Sequence, residues 1–272
     1  MDVVYTYVFT KVANSTKIHF IKNQANRKFD GVFLGSSRVV NHINCKVIDS
    51  VLGANSINFG ITDAQPKDIL TILKLLNQYN IESKTVYVQT DYYYNSEDKS
   101  RFLYADLLPF IRENKIIKEY FQDEKDFIFL YYLPFYRFCK ADFKLGIRDV
   151  LAALFRKNKF KDTKGFEPMF GSGNTWVRSL PSTINKENKY NKEIETFVKG
   201  AAYKTVFFVA PFRNDTKNLD FIFLLKRQYV DLWDFSNSIK DPSRFTNGYH
   251  LNASGANEFS IQLANKIKLY KK

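Results

Sequence analysis

The sequence predicts an α/β fold in which helices cover both faces of a parallel sheet. Short apolar segments at 29–34, 85–90 and 205–210 have the length and the β-branched or aromatic content of buried strands. A segment at 68–79 repeats apolar residues at helical spacing, and it lies between the first two of these strands. The resulting β-α-β order is typical of a parallel sheet, because parallel neighbours need a crossover connection.

The other elements are predicted from local signals, since glycine and proline mark turns and apolar periodicity separates helices from strands. In chain order these are a helix or irregular arm over 1–28, a helix from Arg38, a strand and turn at 56–60, a helix at 145–155, a glycine-rich loop at 162–174, a helix at 191–200, a strand at 229–234 and a helix at 255–268. We predict one domain over 1–272, with an insertion at about 92–195 that forms either a lid or substrate wall, or packing around the sheet.

The composition is that of an ordinary globular protein, with 45% apolar and 25% charged residues. The formal net charge of +13 suits nucleic acid, an anionic membrane face or an acidic polymer as a partner. However, the basic residues are spread out, and the sequence lacks a basic tail, zinc-finger spacing and an RNP-like aromatic motif. We therefore expect a solvated basic surface and no nucleic-acid partner.

Cysteine usage and hydropathy constrain the environment loosely. Cys45 and Cys139 lie far apart and outside any C-x-x-C pair, so two buried thiols are expected rather than a disulfide or a zinc site. No stretch of about 18 apolar residues is present, which predicts no membrane span. The apolar start at 3–9 lacks the features of a signal peptide and is compatible with the end of a removed anchor, which leaves open whether Met1 is the native start.

Residues capable of catalysis are predicted at one edge of the sheet. Ser37, Gly60 and Asp91 each follow a predicted strand, and ligands bind beyond the carboxyl ends of parallel strands. His250 precedes the last predicted helix. A serine hydroxyl becomes a good nucleophile when a base accepts its proton, and histidine suits that role near neutral pH. Backbone N–H groups at glycine-containing turns provide donors for a developing oxyanion.

Three motifs resemble blocks of the SGNH (GDSL-like) hydrolase superfamily. Asp-Gly-Val-Phe-Leu-Gly-Ser-Ser-Arg at 30–38 resembles block I, in the form of a bacterial subgroup that carries Gly-Ser-Ser in place of Gly-Asp-Ser. Asn-Phe-Gly at 58–60 is similar to block II, and His-Leu-Asn-Ala-Ser-Gly-Ala at 250–256 is similar to block V. The resemblance covers about residues 28–95 and 200–268 and leaves out the middle of the chain.

This resemblance implies a flavodoxin-like three-layer α/β/α sandwich that hydrolyses esters or transfers acyl groups without a metal or an organic cofactor. It assigns Ser37 as nucleophile and His250 as base, with the backbone N–H groups of Ser37 and Gly60 in the oxyanion hole. The Gly-Ser-Ser subgroup is often tethered to membranes near polysaccharide assembly genes. The implied substrate is therefore an acylated cell-surface glycan, with membrane-associated assembly proteins as partners. The implied location is outside the cytoplasm, with a membrane tether in a segment that this sequence does not include; the lack of an export signal counts against that location.

Two positions depart from the family pattern. Asn247 stands where block V has an aspartate, and an amide oxygen can accept from a histidine N–H but stabilises imidazolium less well. Asp234, Asp241 or a Ser-His dyad are the alternatives. The Gly-x-Asn-Asp of block III is missing, with Gln89 and Asp91 near its place as possible lining residues. An impaired, glycan-binding or accessory protein therefore stays a second hypothesis.

Further candidates each have a structural alternative. Arg38 is expected either to bind a substrate anion or to be a surface charge at a helix start. Arg213 is expected either to face the cleft or to form a structural ion pair. The remaining candidates are Ser36 as an alternative nucleophile, His42 as a structural or a site histidine, His19 as a surface residue, and the tyrosines at 92–94 as a platform for sugar rings or ordinary aromatic packing.

Overall fold

A computed structural model describes residues 2–141, 155, 157–173, 177 and 179–270. Within this part of the chain, five parallel strands form one sheet in the order β2-β1-β3-β4-β5. The strands are β1 (Lys28–Leu34), β2 (Ser56–Asn58), β3 (Glu82–Gln89), β4 (Lys204–Val209) and β5 (Trp233–Asp234). The predicted α/β class with a parallel sheet is confirmed.

Twelve α-helices accompany the sheet in the described residues. They are α1 (Asp2–Tyr7), α2 (Lys17–Lys22), α3 (Ser37–Val40), α4 (Cys45–Leu52), α5 (Pro66–Gln78), α6 (Arg101–Leu107), α7 (Lys115–Phe121), α8 (Phe127–Tyr132), α9 (Tyr136–Ala141), α10 (Lys189–Lys199), α11 (Phe221–Gln228) and α12 (Ala253–Tyr270). A π-helical turn at Val8–Val12 follows α1, and 3-10 turns lie at Leu108–Phe110 and Pro242–Arg244. Of the helices described, none has the length and apolar character that crossing a bilayer requires.

Successive side chains of β1 belong to two separate cores. Val32 and Leu34 of β1 belong to one buried cluster, together with Leu73 of α5. Phe33, which lies between them, belongs to a second cluster with Ile48 of α4 and Phe259 of α12. Because successive side chains of a strand point to opposite faces of a sheet, helices cover both faces. This arrangement is consistent with a three-layer α/β/α sandwich.

The N-terminal segment is largely helical, and its second helix, α2, packs on the first of these cores. Ile18 and Ile21 of α2 are fully buried in it. His19 was predicted to be a surface residue, and this is wrong: its side chain is buried, with Nε2 2.7 Å from the Phe9 carbonyl oxygen and Nδ1 2.9 Å from Thr16 Oγ1. Thr16 caps α2 and bonds the His19 ring, so the start of this helix holds the His19 side chain in the interior.

The described part of the 92–195 region packs around the sheet. Leu103, Phe121 and Leu130, from α6, α7 and α8, are fully buried in the same cluster as α5. Residues 162–173 contain no helix or strand, as the glycines predicted. The helix predicted at 145–155 lies, except for its last residue, outside the described residues.

Two more predictions from the sequence are wrong in part. The strand predicted at 229–234 is only two residues long, because Tyr229 ends α11 by donating its N–H to the Leu225 carbonyl at 2.8 Å. The two thiols are both free, but only Cys45 is buried, whereas Cys139 is exposed. Burial raises the pKa of the Cys45 thiol to about 12, so this thiol stays protonated at neutral pH.

Candidate active site

The turn that ends β1 places Ser37 at the edge of the sheet. Gly35 has a φ of 155°, and a Cβ on it would lie 2.5 Å from Gln89 Oε1, so the turn requires glycine. Ser36 then caps α3, since its Oγ accepts the Arg38 N–H at 3.3 Å. Ser37 is therefore the first residue of α3, with 8% of its surface exposed.

His250 reaches Ser37 from the other end of the chain. Its Nε2 lies 2.8 Å from Ser37 Oγ, although 213 residues separate the two in sequence. The backbone around His250 is fixed by a short antiparallel bridge between Phe245 and Leu251, and the His250 carbonyl accepts the Thr246 N–H at 2.8 Å. The predicted serine and histidine thus meet at hydrogen-bond distance.

Asn247 contacts His250 in a way that the sequence did not indicate. Its Oδ1 accepts the backbone N–H groups of Tyr249 at 3.2 Å and of His250 at 3.0 Å. Its Nδ2 lies 3.3 Å from Nδ1 of the His250 ring. The expected contact ran from the amide oxygen to the ring, but here the oxygen binds the backbone and the amide nitrogen faces the ring.

The two predicted oxyanion donors have different surroundings. Ser37 N–H lies in the first turn of α3, where no preceding helical turn can accept it. The next three N–H groups of α3 all bind to Ser36, through its Oγ or its carbonyl. By contrast, the Gly60 N–H donates to Asn58 Oδ1 at 2.9 Å. Ser37 N–H is therefore the better placed donor, and Gly60 N–H would have to share its bond with a substrate oxygen.

Gly60 is nevertheless required where it stands. A Cβ on Gly60 would lie 2.7 Å from the backbone nitrogen of Val40, in α3. Asn58 also joins the end of β2 to this helix and to the residues after it, because its Nδ2 donates to the carbonyls of Val39 at 2.7 Å and Ile43 at 2.9 Å. The end of β2 is thus packed tightly against the helix that carries Ser37.

Arg38 and Asp91 form a buried ion pair below the site. Arg38 Nε lies 3.0 Å from Asp91 Oδ2, and neither side chain is exposed. Arg38 Nη2 also donates to the carbonyls of Ala210 at 2.5 Å and Pro211 at 3.0 Å, and its guanidinium stacks 3.5 Å from the Phe212 ring centre. Arg38 was predicted to bind substrate or to be a surface charge; its burial supports neither, because it joins the ends of three strands instead.

Gln89 and Arg213 also have defined partners. Gln89 is fully buried, and its Oε1 accepts the N–H of Ser36 at 2.8 Å and its hydroxyl at 3.0 Å, so it supports the turn before Ser37. Ser36 is itself fully buried, so its hydroxyl does not reach the surface of the protein. Arg213 forms a two-pronged ion pair with Asp215, with both N–O distances at 2.8 Å.

The alternative carboxylates, Asp234 and Asp241, each have a partner other than His250. Asp234 pairs with Lys226 at 2.6 Å, and Asp241 caps a 3-10 turn by accepting the Ser243 N–H at 2.9 Å. The tyrosines at 93 and 94 are buried, which excludes them as a stacking surface for sugars. Tyr92 is half-buried and lies against Tyr249, with the ring centres 5.8 Å apart.

His42 lies next to the site. His42 is fully buried, its ring centre lies 5.9 Å from that of His250, and its Nε2 accepts the Leu251 N–H at 3.1 Å. Burial and the nearby Arg38 hold the pKa of His42 well below its ordinary value. The sequence named His42 as a candidate but gave no sign that it touches the backbone beside His250.

The glycine-rich loop at 162–173 bridges the two halves of the site. The Glu167 N–H donates to the Val40 carbonyl at 2.9 Å, in the helix that carries Ser37. The Met169 carbonyl accepts the Ala253 N–H at 2.7 Å, at the start of α12. Phe170, next to Met169, is 76% exposed. This loop therefore connects α3, which carries Ser37, to the start of α12, which follows His250 in the chain.

No protein-family model matches the chain, and no curated protein matches it in sequence. In the described residues, no group of three or more His, Cys, Asp or Glu side chains is arranged to hold a metal ion.

Proposed function

We propose that the chain is a serine-dependent esterase or O-acyltransferase that works through an acyl-serine at Ser37. The 2.8 Å contact between Ser37 Oγ and His250 Nε2 carries this proposal. A nucleophile and its base are recognised by hydrogen-bond reach between the two side chains, whatever the order of residues in the chain. The position of the pair beyond the carboxyl ends of parallel strands is also where this class of sheet binds ligands.

The reaction would proceed in two halves. His250 Nε2 takes the hydroxyl proton of Ser37 while Oγ attacks the ester carbonyl carbon, and the oxyanion that forms accepts the Ser37 N–H. The C–O bond of the ester then breaks, and the departing alkoxide takes the proton from His250 Nε2. Water or a second hydroxyl attacks the acyl-serine with His250 again as base, which releases the acyl group to the acceptor and restores Ser37.

The substrate class rests on the sequence resemblance. It points to O-acyl groups of a cell-surface glycan, with membrane-associated polysaccharide assembly proteins as partners and an extracytoplasmic location. The net charge of +13 fits an acidic polymer of this kind. Hydrolysis and transfer differ only in whether water or a sugar hydroxyl reaches the acyl-serine.

A second candidate is an impaired family member that binds a glycan or assists an assembly complex. Two observations favour it: Asn247 gives His250 no carboxylate partner at the usual position, and the Gly60 N–H already donates to Asn58. Both features oppose the chemical step, and neither of them prevents a ligand from binding near Ser37.

Labelling with a fluorophosphonate, followed by intact mass measurement, tests the proposal. We expect one adduct on the wild type, none on Ser37→Ala and a much slower one on His250→Ala. Ser254→Ala is the matched control, because Ser254 is an exposed serine four residues from His250. Correctly folded wild-type protein that forms no adduct would contradict the enzyme proposal and favour the binding protein.

A further inference from the structure

We infer that Asn247 is a positioning residue that holds neutral His250 with its proton on Nε2 and thereby suppresses the base of the Ser37–His250 pair. The tautomer part of this inference stands on geometry alone, and its consequence for rate rests on the function proposed above.

The orientation of the Asn247 amide is fixed by the backbone. Oxygen and nitrogen of a carboxamide are assigned from their hydrogen bonds, since the oxygen only accepts and the NH2 group only donates. Two backbone N–H groups, of Tyr249 and His250, point at the atom in the Oδ1 position. A flipped amide would set its NH2 group against both donors, so the oxygen must face the backbone.

That orientation presents an N–H of Asn247 to the His250 ring. Nδ2 lies 3.3 Å from Nδ1, and because Nδ2 can only donate, Nδ1 must accept. A neutral imidazole that accepts at Nδ1 carries its proton on Nε2. The Nε2–H then donates to Ser37 Oγ across the 2.8 Å contact.

This tautomer is the reverse of the one that the reaction needs. A general base must offer the Nε2 lone pair to the serine hydroxyl, which requires the proton to sit on Nδ1. Moving the proton to Nδ1 would place it against the Asn247 amide hydrogens. The same donor–donor contact opposes imidazolium, which carries protons on both ring nitrogens. Asn247 therefore disfavours both the resting base and the intermediate that follows it.

An aspartate at this position would reverse the preference. Its carboxylate can accept the same two backbone N–H groups, and it can also accept a proton donated from Nδ1. In a Ser-His-Asp triad, the opposite change from Asp to Asn lowers turnover by roughly 10⁴-fold because the tautomer is wrong. We expect Asn247→Asp to speed acylation of Ser37 by at least about tenfold.

The tautomer is measured directly by the ¹⁵N shifts of the ring nitrogens, at a pH where the ring is neutral. The chain has three histidines, so His19→Gln and His42→Gln variants assign the His250 signals. We expect Nε2–H in the wild type and Nδ1–H in Asn247→Asp. An Nδ1–H ring in the wild type, or the same tautomer in both proteins, would overturn the inference. This readout does not depend on any activity.

The rate is measured as fluorophosphonate labelling of Ser37 in wild type and Asn247→Asp. Asn185→Asp is the matched control, because Asn185 is exposed and its Oδ1 accepts the N–H two residues ahead at 3.0 Å, as in Asn247. Equal labelling of wild type and Asn247→Asp would overturn the inference and leave the proposed function standing. A third outcome is that neither protein is labelled although their His250 tautomers differ as expected. Ser37 and His250 are then not a reactive pair, so both the claim that Asn247 suppresses the pair and the proposed function are overturned.

Discussion

His42 and Leu251 are joined by a hydrogen bond that reaches the backbone beside His250. His42 Nε2 accepts the Leu251 N–H at 3.1 Å, so the neutral His42 ring carries its proton on Nδ1. That Nδ1 is buried without a hydrogen-bond partner among the described residues. With the His250 proton on Nε2, as inferred above, the two histidines carry their protons on different ring nitrogens, although their ring centres lie only 5.9 Å apart.

Loss of the His42 acceptor should misplace His250. We expect His42→Ala to slow Ser37 labelling roughly ten- to hundredfold, since small misplacements of a catalytic group carry costs of that order. His42→Gln keeps an acceptor near the position of Nε2 and should restore most of the rate. Equal losses in the two variants would show that His42 only fills space.

The buried histidines should make stability depend on pH. A histidine whose pKa is lowered in the folded state adds stability above its unfolded pKa and loses it as pH falls, because the unfolded chain binds the proton more readily. Burial lowers the pKa of both His42 and His19. Below about pH 6.5, the free energy of unfolding should fall by up to about 1.4 kcal/mol per pH unit for each group.

Urea titrations at several pH values measure this slope. We expect His42→Gln and His19→Gln each to flatten it, and the double variant to flatten it further. A wild-type slope retained in the double variant would assign the pH dependence to other groups.

The Arg38–Asp91 pair should be essential for stability. Removing one partner of a buried ion pair leaves an uncompensated charge and costs about 3–5 kcal/mol. We expect this loss for Arg38→Met and for Asp91→Asn, measured by denaturant unfolding. The exposed pair of Lys28 and Glu82, 2.8 Å apart, is the control, and Lys28→Met should cost at most about 1 kcal/mol. Similar losses at the two pairs would contradict the structural role of Arg38.

Deamidation of Asn247 should produce the same aspartate that the Asn247→Asp variant introduces. Asn247 is followed by Gly248, whose missing side chain leaves the amide carbon open to attack by the next backbone nitrogen. The attack expels ammonia and forms a succinimide, which water opens to aspartate or isoaspartate. Protein incubated at alkaline pH should yield a more acidic fraction that labels faster at Ser37. Peptide mapping locates the change, and an unaltered labelling rate in a fraction with aspartate at 247 would contradict the expectation.

Much of the fold was predictable because it depends on local patterns. The apolar segment before Gly35 and the turn at Ser37 have the strand-and-glycine signal of a parallel sheet edge. Because Ser37 follows a predicted strand and His250 precedes the last predicted helix, the two were also expected at the same edge of the sheet. Tyr229 was misassigned because a short aromatic stretch does not distinguish a strand from the end of a helix; its ring stacks on Phe207, with centres 4.2 Å apart.

The finer features of the site depend on contacts that no local pattern encodes. Arg38 begins a helix in the sequence, and only the fold shows that Asp91 and two carbonyls surround it. The role of Asn247 depends on which of its amide atoms faces His250, and two backbone N–H groups decide that.

The separation of Ser37 and His250 has a consequence for biosynthesis. Chains are made from the N-terminus, and early parts are exposed before later ones exist. Until residue 250 has been made, the Ser37 hydroxyl has no His250 beside it and is as unreactive as any other serine. The pair assembles only when α12 docks on α4, a contact that includes the 2.9 Å bond from the Asn44 N–H to Ser260 Oγ. On a ribosome-bound chain, the pair proposed to form the acyl-serine is therefore complete only after His250 has been synthesised and placed beside Ser37.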